Sequence, residues 1–169
     1  MKIYGIRVIS LFLLILTMAI IFTLSADTGE ESGDLSEEVT EKILGIFGVD
    51  EEDYSAGDYE QIKDRAEGIT RKCAHFLEYA WLGAMCYIFF WTYEWKRLKT
   101  VLLSLAVCVL YAALDEWHQS FVPGRGPGIK DVMIDSSGVV FGIFFVILMS
   151  FLVSRYINRG KSKTRVSKK

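Results

Sequence analysis

Proline is nearly missing from this chain. Its only two prolines sit in one stretch, Pro123-Gly124-Arg125-Gly126-Pro127-Gly128. Proline lacks an amide donor and glycine tolerates positive φ, so this stretch is expected to be a turn or a structured loop. Cysteine is also scarce. Cys73, Cys86 and Cys108 form no CxxC pair, and their odd number gives no complete disulfide framework. All three fall in or beside apolar segments and are expected to be small buried hydrophobes. Histidine occurs twice, as His75 and His118. Imidazole beside carboxylate suits zinc or a similar ion, but no HExxH or equivalent spacing is present, and no metal or other cofactor is expected.

Charge is absent from two long runs, Val8–Ala26 and Val139–Ser154. A soluble domain of 169 residues could carry 51% hydrophobic residues, so the distribution decides where the average does not. A helix needs about 20 mostly apolar residues to cross about 30 Å of hydrocarbon. Four stretches approach that length, at about 6–24, 71–91, 98–117 and 132–156. The expected fold is therefore all-α: a single polytopic membrane domain with four transmembrane helices and no second large core. A signal peptide would also begin with a basic, then an apolar, stretch. The first run is longer than a usual signal core and Ser25-Ala26-Asp27 is a weak cleavage site, which favours a retained helix.

Residues 27–70 are acidic, with 15 acids against 3 bases between Asp27 and Glu67. Val39, Ile43, Ile46 and Phe47 follow helical spacing there. They predict a short amphipathic helix on or near the membrane surface, opened by a capping box at Asp34 and Glu37 and stopped at Gly48. Asp50–Asp53 reads as a solvated loop. Tyr59, Ile62, Ala66 and Ile69 predict a second helical stretch leading into the next span, with a break near Gly68. From Arg155 onward there are seven bases and no acid. Following an apolar span, such a tail (157–169) reads as a cytoplasmic anchor on anionic headgroups and not as a nucleic-acid arm. The basic N-terminus, the Lys96–Lys99 loop and the tail then all face the cytoplasm. The acidic segment and the Pro/Gly loop face outward.

That topology brings three polar sets to one outer end. Arg71, His75 and Glu78, at i, i+4 and i+7, share a helical face beside Lys72. Asp115, His118 and Gln119 share another, with Glu116 about 100° away. Asp131 and Asp135 follow Arg125, and Gly138 and Gly142 continue nearly the same stripe, which would let another helix approach closely. A charged carboxylate at a helix centre costs about 2.5–3.5 kcal/mol on insertion scales. Glu78 and Asp135 should therefore be partnered, protonated or facing a wet cavity. Arg71, Lys72, Arg125 and Lys130 suggest recognition of a phosphate or carboxylate. Each set alone also fits a helix end reaching water, with acids favoured at N-termini.

In order, Arg71-Lys72, His75-Phe76, Glu78-Tyr79, then Asp115-Glu116, His118-Gln119, Phe121 and Pro123-Gly124-Arg125 resemble the VanZ-like family of membrane proteins. Phe22-Thr23-Leu24-Ser25 and Asp131-Val132 with Gly138 and Gly142 extend the likeness over about 20–145. The resemblance implies a bacterial cell-envelope protein, mostly of Gram-positive organisms, whose namesake is linked to resistance against teicoplanin and related glycopeptides. Asp135 stands where the family pattern leads one to expect Asn. Two functions fit. One is a non-enzymatic outward pocket for an anionic lipid, a lipid-linked cell-wall component or a glycopeptide antibiotic. The other is an intramembrane transferase or hydrolase acting on lipid-linked phosphate, with His75 or His118 as general base oriented by Glu78 or Asp115 and Arg125 balancing charge. A transporter, or a scaffold knitted by its polar residues, remains a further alternative.

Overall fold

The computed structural model describes residues 2–126 and 128–166, and the side chains of all of these except 2, 56 and 159–166. Pro127 and the tail lysines Lys168 and Lys169 fall outside it, as do the side chains of Arg159, Lys161, Lys163 and Arg165. Five α-helices follow one another: α1 (Lys2–Ala26), α2 (Gly29–Ile46), α3 (Ala56–Trp91), α4 (Arg97–Gln119) and α5 (Ile129–Val166). No strand occurs among the described residues. α1, α3, α4 and α5 are long and apolar enough to cross a membrane. Their outer faces carry Val8, Phe12, Trp81, Leu110 and Phe144 exposed, as expected where hydrocarbon rather than water is the solvent.

Both helices expected within residues 27–70 are present, as α2 and the first part of α3. α3 runs unbroken through Gly68, and its 36 residues reach about 54 Å at 1.5 Å per residue, well beyond the hydrocarbon thickness. Nothing within 4 Å of Gly68 interrupts the helix, so the glycine costs some propensity without forcing a bend. α2 packs along the protruding part of α3. Its capping box is Thr28 with Glu31, two turns before the expected Asp34 and Glu37: Glu31 N–H donates to Thr28 Oγ1 at 3.2 Å, and Thr28 N–H donates to Glu31 Oε2 at 2.9 Å. The Thr28 amide, and then its hydroxyl, hold the Glu31 carboxyl below the usual carboxylate range. Gly48, at φ +68°, ends the helix as expected; Val49 N–H reaches Leu44 O and Gly48 N–H reaches Gly45 O, a Schellman closure.

The face of α2 that packs is not its apolar one. Ser36, Thr40 and Leu44 are buried against α3, with Thr40 Oγ1 donating to Thr70 Oγ1 at 2.9 Å. Lys63 of α3 ties down Glu37 and, at 2.9 Å, Glu41. Val39, Ile43, Ile46 and Phe47 stay exposed. Asp50–Asp53 is an exposed stretch containing one 3-10 turn, Glu51–Asp53.

The core lies where α3 meets α4 and α5, around Tyr79, Leu82, Cys86, Cys108, Ala112, Val139 and Ile143. α4 offers small residues every fourth position (Thr100, Ser104, Cys108 and Ala112), all buried. Cys86 and Cys108 are buried as expected, whereas Cys73 is exposed. The most extensive interface joins α3 and α5. A Cβ on Gly142 would stand 1.8 Å from Ala80 O, and one on Gly138 would stand 2.3 Å from Phe76 O. The partner of the Gly138–Gly142 stripe is therefore α3, and the two backbones touch.

The bundle has two distinct ends. At one, Arg7 Nη2 donates to Thr92 O at 2.9 Å and its guanidinium lies 4.5 Å from the Tyr93 ring centroid; Lys99 covers the Trp95 ring. At the other, the C-terminus of α1 meets the α4–α5 loop: Arg125 Nε donates to Asp27 O at 3.0 Å and Nη2 to Leu24 O at 3.1 Å.

Candidate functional site

Among the described residues, two cavities lined by Arg125 open at this end of the bundle. The first, of about 230 Å³, is a polar chamber between α3, the end of α4, the Gly124–Gly126 loop and the start of α5. Of the residues singled out in the sequence, Arg71, Lys72, His75, Glu116, Gln119, Arg125, Asp131 and Asp135 line it. The second, of about 210 Å³, is a groove between the end of α1, α2 and α3, lined by Leu24, Leu35, Val39 and Glu78 among others. Arg71, His75 and Arg125 belong to both. They form the partition between polar chamber and apolar groove.

Each wall has a local cause. On α3, the i, i+4 spacing of Arg71 and His75 carries them along one face, while Glu78, one turn deeper, faces the groove. On α5, Asp131 and Asp135 at i, i+4 both face the chamber. Gly128 N–H donates to Glu116 Oε2 at 3.0 Å, which fixes the Glu116 carboxylate where α5 begins. The loop approaches α2 closely because both sides are glycine. Gly29 N–H donates to Pro123 O at 3.0 Å, and a Cβ on Gly29 would lie 2.3 Å from Gly124 O. Gly124 itself has φ +76°, a conformation that suits glycine. Burial, and then the neighbouring Arg71, pull the Arg125 guanidinium below its ordinary pKa.

Exposure divides the chamber by charge. Arg71 and Lys72 are exposed and Arg125 is half-buried, so the cations lie toward the rim. Glu116 is 6% exposed and Asp135 0%, so two carboxylates form the floor. Asp135 Oδ1 faces His75 Nδ1 at 3.5 Å, too long for a good hydrogen bond. Neither Asp135 oxygen has a hydrogen-bond partner in the protein.

Three of the expected residues, Asp115, His118 and Lys130, lie outside both cavities. Asp115 Oδ2 accepts from Ser25 Oγ at 2.7 Å, Tyr79 Oη at 3.0 Å and Gln119 Nε2 at 3.3 Å, so it joins α1, α3 and α4 behind the chamber wall. His118 turns toward α1, its ring 4.6 Å from that of Phe22. Ser25 and Tyr79 entered the sequence reading only through the family resemblance, and Tyr111, whose hydroxyl donates to Met18 O at 2.6 Å, did not enter it. Tyr79 lies four residues after His75 and Tyr111 four before Asp115, so extending each polar stripe by one turn would have found both.

A protein-family model described as VanZ/LLP1 matches residues 10–151. The chain belongs to the VanZ-like family. The match spans α1 to α5 and includes every residue of the chamber and the groove, so the site lies wholly within the VanZ-like unit. Searches among curated proteins and among solved structures gave no match. Family and spans together make this VanZ-like chain a multi-pass membrane protein.

Proposed function

We propose that this chain binds, at the non-cytoplasmic face of the bacterial cell membrane, an amphiphile bearing a phosphate or carboxylate: an anionic lipid, a lipid-linked cell-wall component or a glycopeptide antibiotic. In the last case binding would contribute to glycopeptide resistance. The observation that carries this reading is the partition of Arg71, His75 and Arg125 between a polar chamber and an apolar groove. An amphiphile needs that sequence of environments: hydrocarbon for the tail, a cationic girdle for the anion, a wet compartment for the rest of the head. Guanidinium groups match phosphate and carboxylate in bidentate fashion. The basic residues at the Arg7 and Lys99 end support the outward orientation.

A second reading is supported by one contact. His75 faces Asp135 across 3.5 Å, and an imidazole aligned by a carboxylate is the arrangement of a general base. On this reading the protein is a transferase or hydrolase of lipid-linked phosphate, with His75 oriented by Asp135 rather than by Glu78 or Asp115.

One experiment separates the two. Protein purified in mild detergent is analysed for co-purifying lipid and then incubated with a lipid-linked phosphate. Binding alone predicts retained lipid, loss of it in Arg71→Gln, and no converted product. Catalysis predicts product from the wild type and none from His75→Gln. An absence of both retained lipid and product would sink both readings.

A further inference from the structure

Three cations, Arg71, Lys72 and Arg125, and three carboxylates, Glu116, Asp131 and Asp135, line the chamber. A simple anion would meet as many repelling groups as attracting ones. The charges are not mixed, however. The cations occupy the rim and the partition with the groove, while the most deeply buried wall is acidic.

Asp135 sets the requirement at that floor. Its carboxyl is fully buried, both oxygens lack a donor from the protein, and Oδ1 lies 3.5 Å from His75 Nδ1. A buried carboxylate without donors is costly. Glu116, beside it on the same wall, has Oε2 held by the Gly128 amide. Asp115, outside the chamber, already has three donors on Oδ2. Asp135 is thus the one carboxylate of the chamber floor whose two oxygens both await a donor.

Resting on the amphiphile reading above, we propose that the ligand is zwitterionic, with its anionic group on the Arg71–Arg125 partition and a primary ammonium in the chamber at Asp135. From groove to floor the environments run apolar, cationic, acidic. A molecule ordered hydrocarbon, phosphate, ammonium matches them in sequence, as an aminophospholipid of the ethanolamine type does. The ammonium supplies the missing N–H donors to Asp135, and the partition arginines keep donors free for the phosphate beyond those Arg125 spends on Leu24 and Asp27. The uneven arrangement discriminates against a head that carries the anion alone.

The test presents the purified full-length protein with equal amounts of phosphatidylethanolamine, N-acetyl-phosphatidylethanolamine and phosphatidylglycerol in detergent, and reads bound lipid by native mass spectrometry. All three carry the phosphate; the first alone carries an ammonium. Phosphatidylethanolamine is expected to be retained about tenfold to a hundredfold over the other two, the range of one or two charge-assisted hydrogen bonds. Asp135→Asn is expected to bring that ratio close to one while phosphatidylglycerol stays bound. Equal retention of all three by the wild type, or an unchanged ratio in Asp135→Asn, overturns the ammonium assignment and leaves the amphiphile reading standing. Retention of none overturns both. Soluble glycerophosphoethanolamine, binding as tightly as the lipid, would remove the groove from the site and overturn the amphiphile order. Should Asp135→Asn fail to fold, the wild-type series decides alone.

Discussion

Arg125 ends α1 as well as lining both cavities. Its two hydrogen bonds go to Leu24 O and Asp27 O, where the helix exposes unpaired carbonyls and the negative end of its dipole. A guanidinium keeps its proton even when burial pulls its pKa down, so the brace persists at any ordinary pH. Arg71 makes no comparable bond among those described and is exposed. The two arginines should therefore separate in mutagenesis. Arg125→Ala is expected to lower stability by about 1–2 kcal/mol, a discounted value for two charge-assisted bonds at a half-buried site, seen as an earlier thermal-aggregation midpoint in detergent. Arg71→Ala should leave that midpoint unchanged. Equal effects would mean that Arg125 contributes nothing to the fold beyond its charge. The sequence singled out both residues by type, yet it could not distinguish them, because the partners of Arg125 lie about a hundred residues away.

The α3–α5 pair depends on glycine at two positions where a side chain has no space. Gly142→Ala would put a carbon 1.8 Å from Ala80 O, so the helices must part; overpacking of this kind costs about 1–3 kcal/mol. Gly45 in α2 has nothing within 4 Å, and Gly45→Ala should be neutral or stabilising by up to about 1 kcal/mol through helix propensity. Folded yield and thermal midpoint of the two variants, measured side by side, check the contrast. At this scale the sequence was most readable where chemistry is local. Uncharged runs marked α1 and α5, and the Gly138–Gly142 stripe marked a close crossing. It was least readable in residues 27–70. There Gly68 suggested a break, but a single glycine in a long helix costs propensity without ending it. The register of α2 was also hidden. Ser36 and Thr40 pack because they are small, while Val39 and Ile43 remain outside, a choice that hydrophobicity alone does not predict.

At the scale of the whole molecule, charge separates the two ends. The Arg7 and Lys99 end is basic and aromatic; the opposite end holds α2, the chamber and the Gly124–Gly126 loop. The proposed orientation, which rests on the positive-inside tendency, puts the first in the cytoplasm. Gly126 is exposed with open space around it, so Gly126→Cys is expected to react with a membrane-impermeant maleimide on intact cells, and Lys96→Cys only after permeabilisation, each in a background lacking Cys73. The reverse pattern would turn the chamber toward the cytoplasm and take the proposed extracellular ligands with it. That widely separated polar stretches share one end was legible from the number of spans. That Asp115 and His118 would leave the cavity was not, since a helix end offers several faces and only the neighbouring helices select among them.

The main-chain contact between Gly142 and Ala80 leaves α3 and α5 no cushion of side chains over which to slide. His75 and Asp135, one from each, thus make up a fixed jaw. Arg125 rides instead on a short loop strapped to the end of α1 and against Gly29 of α2. On the proposed binding reading the two jaws are held differently, one by main-chain contact between helices and the other by hydrogen bonds.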